Sequence, residues 1–270
     1  MEIKYFCSWW GLDNLGLESM LKKIKSAGFD GVEIGIPFNS EERKILKSLL
    51  QKYELDVIAH QYQASGVFKE YKKSFFNSLE NAASFGSIMI NSHTGRDYWP
   101  TNKNLELIKI ADEIQSKYDV KIIHETHRKH FLFSTLTADQ YFNLLPDLKI
   151  TADLSHWTCV SETMLEDQKE ILDLGISRAE HIHARVGFEE GPQIPDPRAP
   201  EWKTHLNIFT NWWQRIVDKF KEEKRDYLTI TPEFGPVPYT WTTPHTNEPL
   251  TDFFEINCWM KDYLKQKLNY

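Results

Sequence analysis

The chain has 270 residues, of which 41% are hydrophobic and 26% charged, and its formal net charge is −7. This balance is ordinary for a globular protein with a full core, and the negative charge argues against a nucleic-acid partner, whose phosphates favour a basic face. The cysteines Cys7, Cys159 and Cys258 are far apart and lack metal-ligand spacing, which is typical of reduced thiols. Without a signal-peptide pattern or an apolar stretch of membrane-spanning length, we expect a cytoplasmic protein with no membrane partner.

Short apolar runs alternate with amphipathic stretches along the chain. We predict strands near residues 2–8, 31–36, 56–62, 87–93, 120–126, 149–154, 180–186 and 227–233. We predict helices near residues 16–28, 40–53, 68–85, 103–118, 137–146, 164–174, 205–224 and 250–267. This alternation is typical of parallel α/β folds, and a barrel of this kind needs about 250 residues. An open doubly wound sheet is less favoured, because no glycine-rich phosphate loop follows the first strand. We therefore predict a single (β/α)8 TIM barrel domain that spans residues 1–270.

Local signals set some of the element boundaries. Thr137 and Gln140 have the spacing of a capping box at the start of the fifth helix. Gly28 and Gly175 stand where the first and sixth helices are expected to end. The connection 187–204 is long and rich in proline and glycine. Because long connections in compact domains are usually functional, we expect this segment to lie over the mouth of the barrel.

Polar residues stand at the ends of four successive predicted strands: Glu125, Asp153, His183 and Glu233. In a parallel barrel these strand ends point the same way, so the four side chains meet above the core. Several unpaired carboxylates in one buried place are unfavourable, and a divalent cation resolves their repulsion. Three oxygen ligands and one imidazole suit Mn²⁺, Mg²⁺, Co²⁺ or Zn²⁺, so we predict one such ion as the cofactor.

The ordered segments IIHETH, TADLSHW, EHIHARVG and TPEFG resemble the xylose isomerase-like barrel superfamily, in its branch of sugar-phosphate isomerases and epimerases. The resemblance covers nearly the whole chain. It implies the same four metal ligands, with His183 preferred to His181 because the second position of the His-x-His pair is the usual ligand. It also implies that His156 and Arg185 contact substrate oxygens, and that Glu33 is an acid on the substrate side.

Two further histidines, His60 and His93, end the third and fourth predicted strands. Relatives of endonuclease IV use histidines at comparable places to hold additional zinc ions, and they carry an Asp-x-His after the seventh strand. This chain has Asp196 and Arg198 there, without that histidine. We therefore expect His60 and His93 to face the substrate or support the site. The basic cluster at 127–130 is expected to be a solvated loop. Four tryptophans near strand ends are candidates for an apolar platform under a sugar ring: Trp9, Trp10, Trp99 and Trp157.

The resemblance implies a metal-dependent isomerase or epimerase of a small-molecule sugar or sugar phosphate. Glu125 and Glu233 are its expected catalytic groups, which transfer a proton through a cis-enediolate while the cation polarises the substrate oxygens. Three alternatives stay open: an endonuclease IV-like phosphodiester hydrolase, a dehydratase or lyase of the same superfamily, and a sugar-binding protein without turnover. A homodimer is the default expectation for the assembly.

Overall fold

A computed structural model describes all residues of the chain. Eight parallel strands form a closed barrel in which each strand pairs with its neighbours in sequence and β8 pairs with β1. This architecture confirms the predicted TIM barrel. The strands are β1 (Glu2–Ser8), β2 (Gly31–Ile34), β3 (Asp56–Gln61), β4 (Met89–Ser92), β5 (Ile122–Glu125), β6 (Ile150–Ala152), β7 (Ala179–Ala184) and β8 (Tyr227–Pro232).

Nine α-helices surround the barrel. They are α1 (Leu17–Ser26), α2 (Ser40–Lys52), α3 (Phe68–Ala83), α4 (Thr101–Tyr118), α5 (Thr135–Leu144), α6 (Leu154–Ser161), α7 (Lys169–Arg178), α8 (Lys203–Glu222) and α9 (Phe253–Lys267). Short 3-10 turns lie at Asp13–Leu15 and Pro200–Trp202. None of these helices combines the length and the apolar character needed to cross a membrane.

The sixth helical region differs from the prediction. Helix α6 begins directly after β6, and the following helix α7 starts later than the predicted 164–174. Asp153 caps α6, because its Oδ1 accepts a hydrogen bond from the backbone N–H of Ser155 at 3.2 Å. Gly175 lies inside α7 and does not end it. A Cβ at this position would lie 2.8 Å from the ring of Trp157, so the glycine lets α6 and α7 approach closely.

Two other boundary predictions have different outcomes. Gly28 follows α1 with φ of 75°, the left-handed conformation that glycine adopts without strain, as expected for a helix end. The capping box of α5 uses Ser134 and Thr137 and not Thr137 and Gln140. The prediction was wrong by one helical turn because α5 begins at Thr135, before its apolar periodicity becomes visible.

The inside of the barrel is divided into an apolar lower layer and a polar upper layer. Phe6, Ile58, Met89 and Ile123 form a small buried cluster, separate from the main core between strands and helices. Side chains two residues apart on a strand share a face, so the next inward positions on these strands carry polar groups. These positions are Ser8, His60, Asn91 and Glu125. The chemistry of the chain is therefore concentrated at the carboxyl ends of the strands, as is usual for this fold.

Candidate active site

The structure brings the four predicted metal ligands together. Glu125, Asp153, His183 and Glu233 are buried, and each offers a ligand atom within 4.8 Å of those of the others. His183 Nδ1 lies 2.9 Å from Glu233 Oε2 and 3.6 Å from Glu125 Oε1. Neither His183 Nδ1 nor Glu125 Oε1 has a hydrogen-bond partner. Buried polar atoms without partners are unfavourable, and one cation bound among these atoms satisfies both. The donor set therefore fits a divalent metal ion.

Glu33 fixes the orientation of the His183 ring. His183 Nε2 lies 3.1 Å from both carboxylate oxygens of Glu33, which places the proton on Nε2 and leaves the lone pair on Nδ1, toward the other carboxylates. Histidine ligands of metals usually donate their second nitrogen to a carboxylate in this way. Thr231 and Asn91 also donate to Glu33, at 2.7 and 2.9 Å. We predicted that Glu33 would contact the substrate, whereas its carboxylate lies one layer below the cavity.

The electrostatic field of the cluster favours a positive charge. Burial lowers the pKa of His183, but the carboxylates of Glu233, Glu33 and Glu125 outweigh it and hold that pKa well above its usual value. Burial is the largest cause that raises the pKa of Asp153, which is about 6. The nearby carboxylates of Glu233 and Glu125 also raise this pKa, whereas the positive charge of Arg185 lowers it. The same field that stabilises a protonated imidazole attracts a metal cation to the same place.

Arg185 connects the carboxylate cluster to the wall of the cavity above it. Its Nη2 donates to Asp153 Oδ2 and to His156 Nε2, the latter at 2.8 Å, and it lies 3.5 Å from Glu233 Oε2. Arg185 lines the cavity, as expected for a group that contacts substrate oxygens. His156 is fully buried behind Arg185 and outside the cavity lining, and it contacts two residues of that lining, Arg185 and His127.

A cavity of about 500 Å³ opens above the cluster, within the usual range of roughly 300–1,000 Å³ for small-molecule sites. Trp9 and Trp10 contribute to its wall, whereas Trp99 and Trp157 do not. Trp157 is buried between helices and donates its indole N–H to the Leu132 carbonyl. The lining residues are Ser8, Trp9, Trp10, His60, Tyr62, Gln63, Ala64, Ser65, His93, Arg96, Glu125, His127, Lys129, His130, Arg185, Glu233 and Tyr239.

His60 and His93 lie on the cavity wall beside Glu125. His93 Nε2 is 3.0 Å from Glu125 Oε2 and 3.3 Å from His60 Nε2. These three residues form a second group with the spacing of metal ligands. In the loop after β7, Asp196 is not part of this group. Its carboxylate pairs with Arg198 at 2.8 Å, and Arg198 also pairs with Glu255 at 2.6 Å.

Several residues of the site were not predicted from the sequence. The expectation of a solvated loop at 127–130 is wrong for its histidines. His130 is buried with Nδ1 3.1 Å from the Gly95 carbonyl, and the ring of His127 packs against His156 with centroids 3.9 Å apart. Asn91 was also missed, although its amide nitrogen lies 2.8 Å from Glu125 Oε2. The spacing along the strands indicates a place in the site for His127 and Asn91, because His127 follows Glu125 by two residues and Asn91 precedes His93 by two.

Comparisons with known proteins agree with this architecture. A family model described as xylose isomerase-like TIM barrel matches residues 21–240. The chain is similar to the structure of 3-keto-D-glucoside 4-epimerase from E. coli, with 12% identity, a TM-score of 0.63, and coverage of 98% of this chain and 100% of the other. No curated protein matches the chain significantly.

Two further solved structures show the same similarity. A probable 3-DHS dehydratase from Bacillus anthracis has 12% identity, a TM-score of 0.59, and coverage of 97% and 98% of the two chains. A sugar phosphate isomerase/epimerase from Parabacteroides distasonis has 12% identity, a TM-score of 0.56 and 98% coverage of both chains. Identities this low show a shared fold and leave the reaction to be argued from the site.

Proposed function

We propose that this chain, which belongs to the xylose isomerase-like TIM barrel family, is a divalent-metal-dependent isomerase or epimerase of a sugar or sugar derivative. The observation that carries the proposal is the group of Glu125, Asp153, His183 and Glu233 at the floor of a cavity, with two buried ligand atoms that lack any partner. The names of two structural neighbours, a 3-keto-D-glucoside 4-epimerase and a sugar phosphate isomerase/epimerase, support the same class of reaction.

These four residues would hold the divalent ion, which would supply Lewis acidity toward adjacent carbonyl and hydroxyl oxygens of a substrate and so make the neighbouring C–H more acidic. Glu125 and Glu233 reach the cavity from the ends of β5 and β8. One carboxylate removes the proton from that carbon and the other returns a proton. Return to the same carbon from the opposite face gives an epimer, and return to the adjacent carbon gives an isomer.

Arg185 is placed to stabilise the charge that develops on the substrate. Its guanidinium lines the cavity beside Glu233 and is held by Asp153 and His156. A donor fixed before the reaction stabilises the negative charge of an enediolate without reorganisation. Trp9, Trp10 and Tyr239 cover the apolar side of the cavity and limit the access of water to the reacting carbon.

The role of Glu233 in proton transfer is tested by deuterium exchange from solvent into the substrate. Wild-type protein, incubated in D₂O with a panel of ketoses and their derivatives and with added Mn²⁺, should introduce deuterium at one carbon of one class of substrate. Glu233→Gln should reduce this exchange by about 10²-fold or more, the usual contribution of a general acid or base. Glu222→Gln is the matched control, because this exposed glutamate at the end of α8 lies outside the cavity lining. Undiminished exchange in Glu233→Gln would remove that residue from the mechanism.

Metal-assisted phosphodiester hydrolysis is the second candidate function, and the group of His60, His93 and Glu125 favours it. Hydrolysis of the endonuclease IV type predicts more than one tightly bound zinc ion per chain, whereas the proposed isomerase predicts one ion. Elemental analysis of the purified protein separates the two. A dehydratase shares the proton-abstraction step, and it is separated by a product that has lost water.

A further inference from the structure

We propose that the cavity contains an anion-binding subsite formed by Arg96 and Lys129, and that the substrate is a sugar or polyol carrying a carboxylate or phosphate ester. The identity of the substrate as a sugar rests on the proposed function, whereas the subsite itself rests on the contacts of Arg96 and Lys129. Arg96 follows β4 and Lys129 follows β5, and both lie on the cavity wall without belonging to the group of metal ligands.

Arg96 is held in a fixed orientation without a carboxylate partner. Its Nη1 donates to the Gly95 carbonyl at 3.0 Å and its Nη2 to the Ala64 carbonyl at 3.2 Å. The guanidinium lies over the ring of Tyr71, 4.6 Å from the centroid. Because a guanidinium has five N–H donors, these two bonds leave others for a ligand. An arginine that is oriented in advance loses little entropy on binding a planar or tetrahedral anion.

Lys129 lies in the loop that contacts the Arg96 loop, because its carbonyl accepts a hydrogen bond from the backbone N–H of Asp97 at 3.2 Å, and its side chain forms no ion pair with a carboxylate. Its backbone has φ of 77°, the left-handed region that residues other than glycine seldom adopt. Such conformations persist only where the surroundings enforce them, and they are concentrated at functional sites. Here the neighbouring His130 is anchored to the Gly95 carbonyl, 3.1 Å from its Nδ1, the same carbonyl that accepts from Arg96. One carbonyl therefore joins the two loops that carry Arg96 and Lys129.

The balance of charge in the cavity favours an anion at this end. The carboxylates on the cavity wall are Glu125 and Glu233, and both belong to the metal-ligand group with Asp153. A divalent cation together with Arg185 matches these three negative charges, and the fourth buried carboxylate, Glu33, lies below them against His183. Neither Arg96 nor Lys129 forms an ion pair with any carboxylate, and both lie on the wall of a partly enclosed space, where charge interactions are stronger than in bulk water. The neutral side chains of Gln63 and Ser65 lie on the same wall and add polar groups that can hydrogen-bond an anionic oxygen.

The subsite is tested by calorimetric binding of D-glucitol, D-gluconate and D-glucitol 6-phosphate to the metal-loaded protein. These probes have the same carbon number and differ in charge. We expect at least one charged probe to bind about tenfold or more tightly than glucitol, and Lys129→Met to remove roughly tenfold of that preference, as for the loss of one charged contact. The preferred probe assigns the anion as carboxylate or phosphate. Equal affinity for all three probes, or no measurable binding of either charged probe, would overturn the proposal.

Lys224→Met is the matched control for Lys129→Met. Lys224 is also exposed, also in the left-handed region with φ of 52°, and precedes β8 at the opposite end of the barrel. This variant should retain the full preference for the charged probe. A preference that survives Lys129→Met, or that falls equally in Lys224→Met, would contradict a local subsite.

Arg96 requires a second comparison, because Arg96→Met removes packing on Tyr71 as well as charge. Arg96→Lys keeps the charge and should retain more of the preference than Arg96→Met. Equal losses in the two variants would assign the effect to loop packing and overturn the role of Arg96. Intact deuterium exchange without a charge preference would overturn the subsite alone, whereas an intact charge preference without exchange would overturn only the proposed reaction.

Discussion

Glu33 is a single residue that fixes the orientation of the ring of His183, one of the proposed metal ligands. The carboxylate of Glu33 is buried and accepts hydrogen bonds from His183, Thr231 and Asn91. Glu33→Gln keeps the shape of the side chain, but it replaces one accepting oxygen by an NH₂ donor and removes the negative charge. Both changes weaken the hold on the Nε2 proton. We expect metal affinity to fall about 10–100-fold, as for other partners of metal-bound histidines.

The measurement for Glu33 is a titration of metal against a competing chelator, with the melting temperature of the metal-free protein recorded in parallel. A structural role alone would change the melting temperature and leave the metal affinity intact. Thr231→Val is a useful companion, because it removes the hydroxyl that donates to Glu33 without changing charge. Its effect on metal affinity should be smaller than that of Glu33→Gln, and the reverse order would contradict the account.

At the scale of elements, the close contact of α6 with α7 supports one wall of the site. Gly175→Ala should gain helix propensity, worth roughly 0.5–1 kcal/mol, but its new Cβ would lie 2.8 Å from the Trp157 ring. Overpacking of this kind typically costs about 1–3 kcal/mol. We therefore expect a net loss of stability in urea unfolding. The control is Ser177→Ala, because Ser177 is exposed on the same helix and reports propensity without the clash.

A double variant tests the proposed contact between the two helices. Trp157→Phe removes part of the large ring, so Gly175→Ala should cost less in the Trp157→Phe background than in the parent. Residues in contact show such non-additivity. Additive costs would show that the loss in Gly175→Ala arises elsewhere in α7.

The same elements show what could be predicted from the sequence. The eight strands were predictable because each apolar run is bounded by polar stretches and followed by a helical pattern. Helix α6 was not, since Leu154, Ser155, His156 and Trp157 are all buried and give no amphipathic pattern, and the segment continues the apolar character of β6. A helix buried on all sides looks like the extension of a strand.

The candidate site was predictable where its residues continue the inward face of a strand. Glu125, His183 and Glu233 could be placed in this way. Asn91 shares a strand face with His93 by the same spacing, but its contacts with Glu33, Glu125 and His183 on other strands are not visible in the sequence. The basic cluster at 127–130 was misinterpreted for a related reason. Its composition is typical of a solvated loop, but packing against the loop after β4 buries His130.

At the scale of the whole molecule, the two ends of the barrel differ in their charged groups: one end carries the candidate active site and the other carries ion pairs that stabilise the fold. The carboxyl ends of the strands hold the carboxylate cluster with unpartnered atoms, whereas the amino ends hold ion pairs. Glu180, near the start of β7, is bonded to Arg225 before β8 at 2.8 Å and to Lys121 before β5. Charge pairing at this end serves stability, as is usual at the amino-terminal face of such barrels.

Glu180 therefore makes stability depend on pH in a defined direction. Burial alone would raise the pKa of Glu180, but hydrogen bonds from Arg225 and Lys121 outweigh it and lower that pKa to about 2. A carboxyl with a depressed pKa contributes its full stabilisation above its ordinary pKa and loses it as the pH falls toward the folded value. Glu180→Gln should lower the free energy of unfolding at neutral pH by roughly 1–3 kcal/mol, and this difference should shrink once the pH falls below about 4.5.

Urea unfolding of parent and variant across this pH range measures the difference directly. Asp56→Asn is the control, because Asp56 pairs with Lys4 at 2.8 Å but both side chains are substantially exposed to solvent. Exposed pairs contribute about 0–1 kcal/mol, so this variant should change stability little at any pH. If the cost of Glu180→Gln stayed constant while the pH fell from neutral toward 3, the link between the lowered pKa of Glu180 and the stability of the barrel would be wrong. The charge of Glu180 would then contribute nothing to the free energy of unfolding, and only the carboxylate cluster would distinguish the two ends of the barrel.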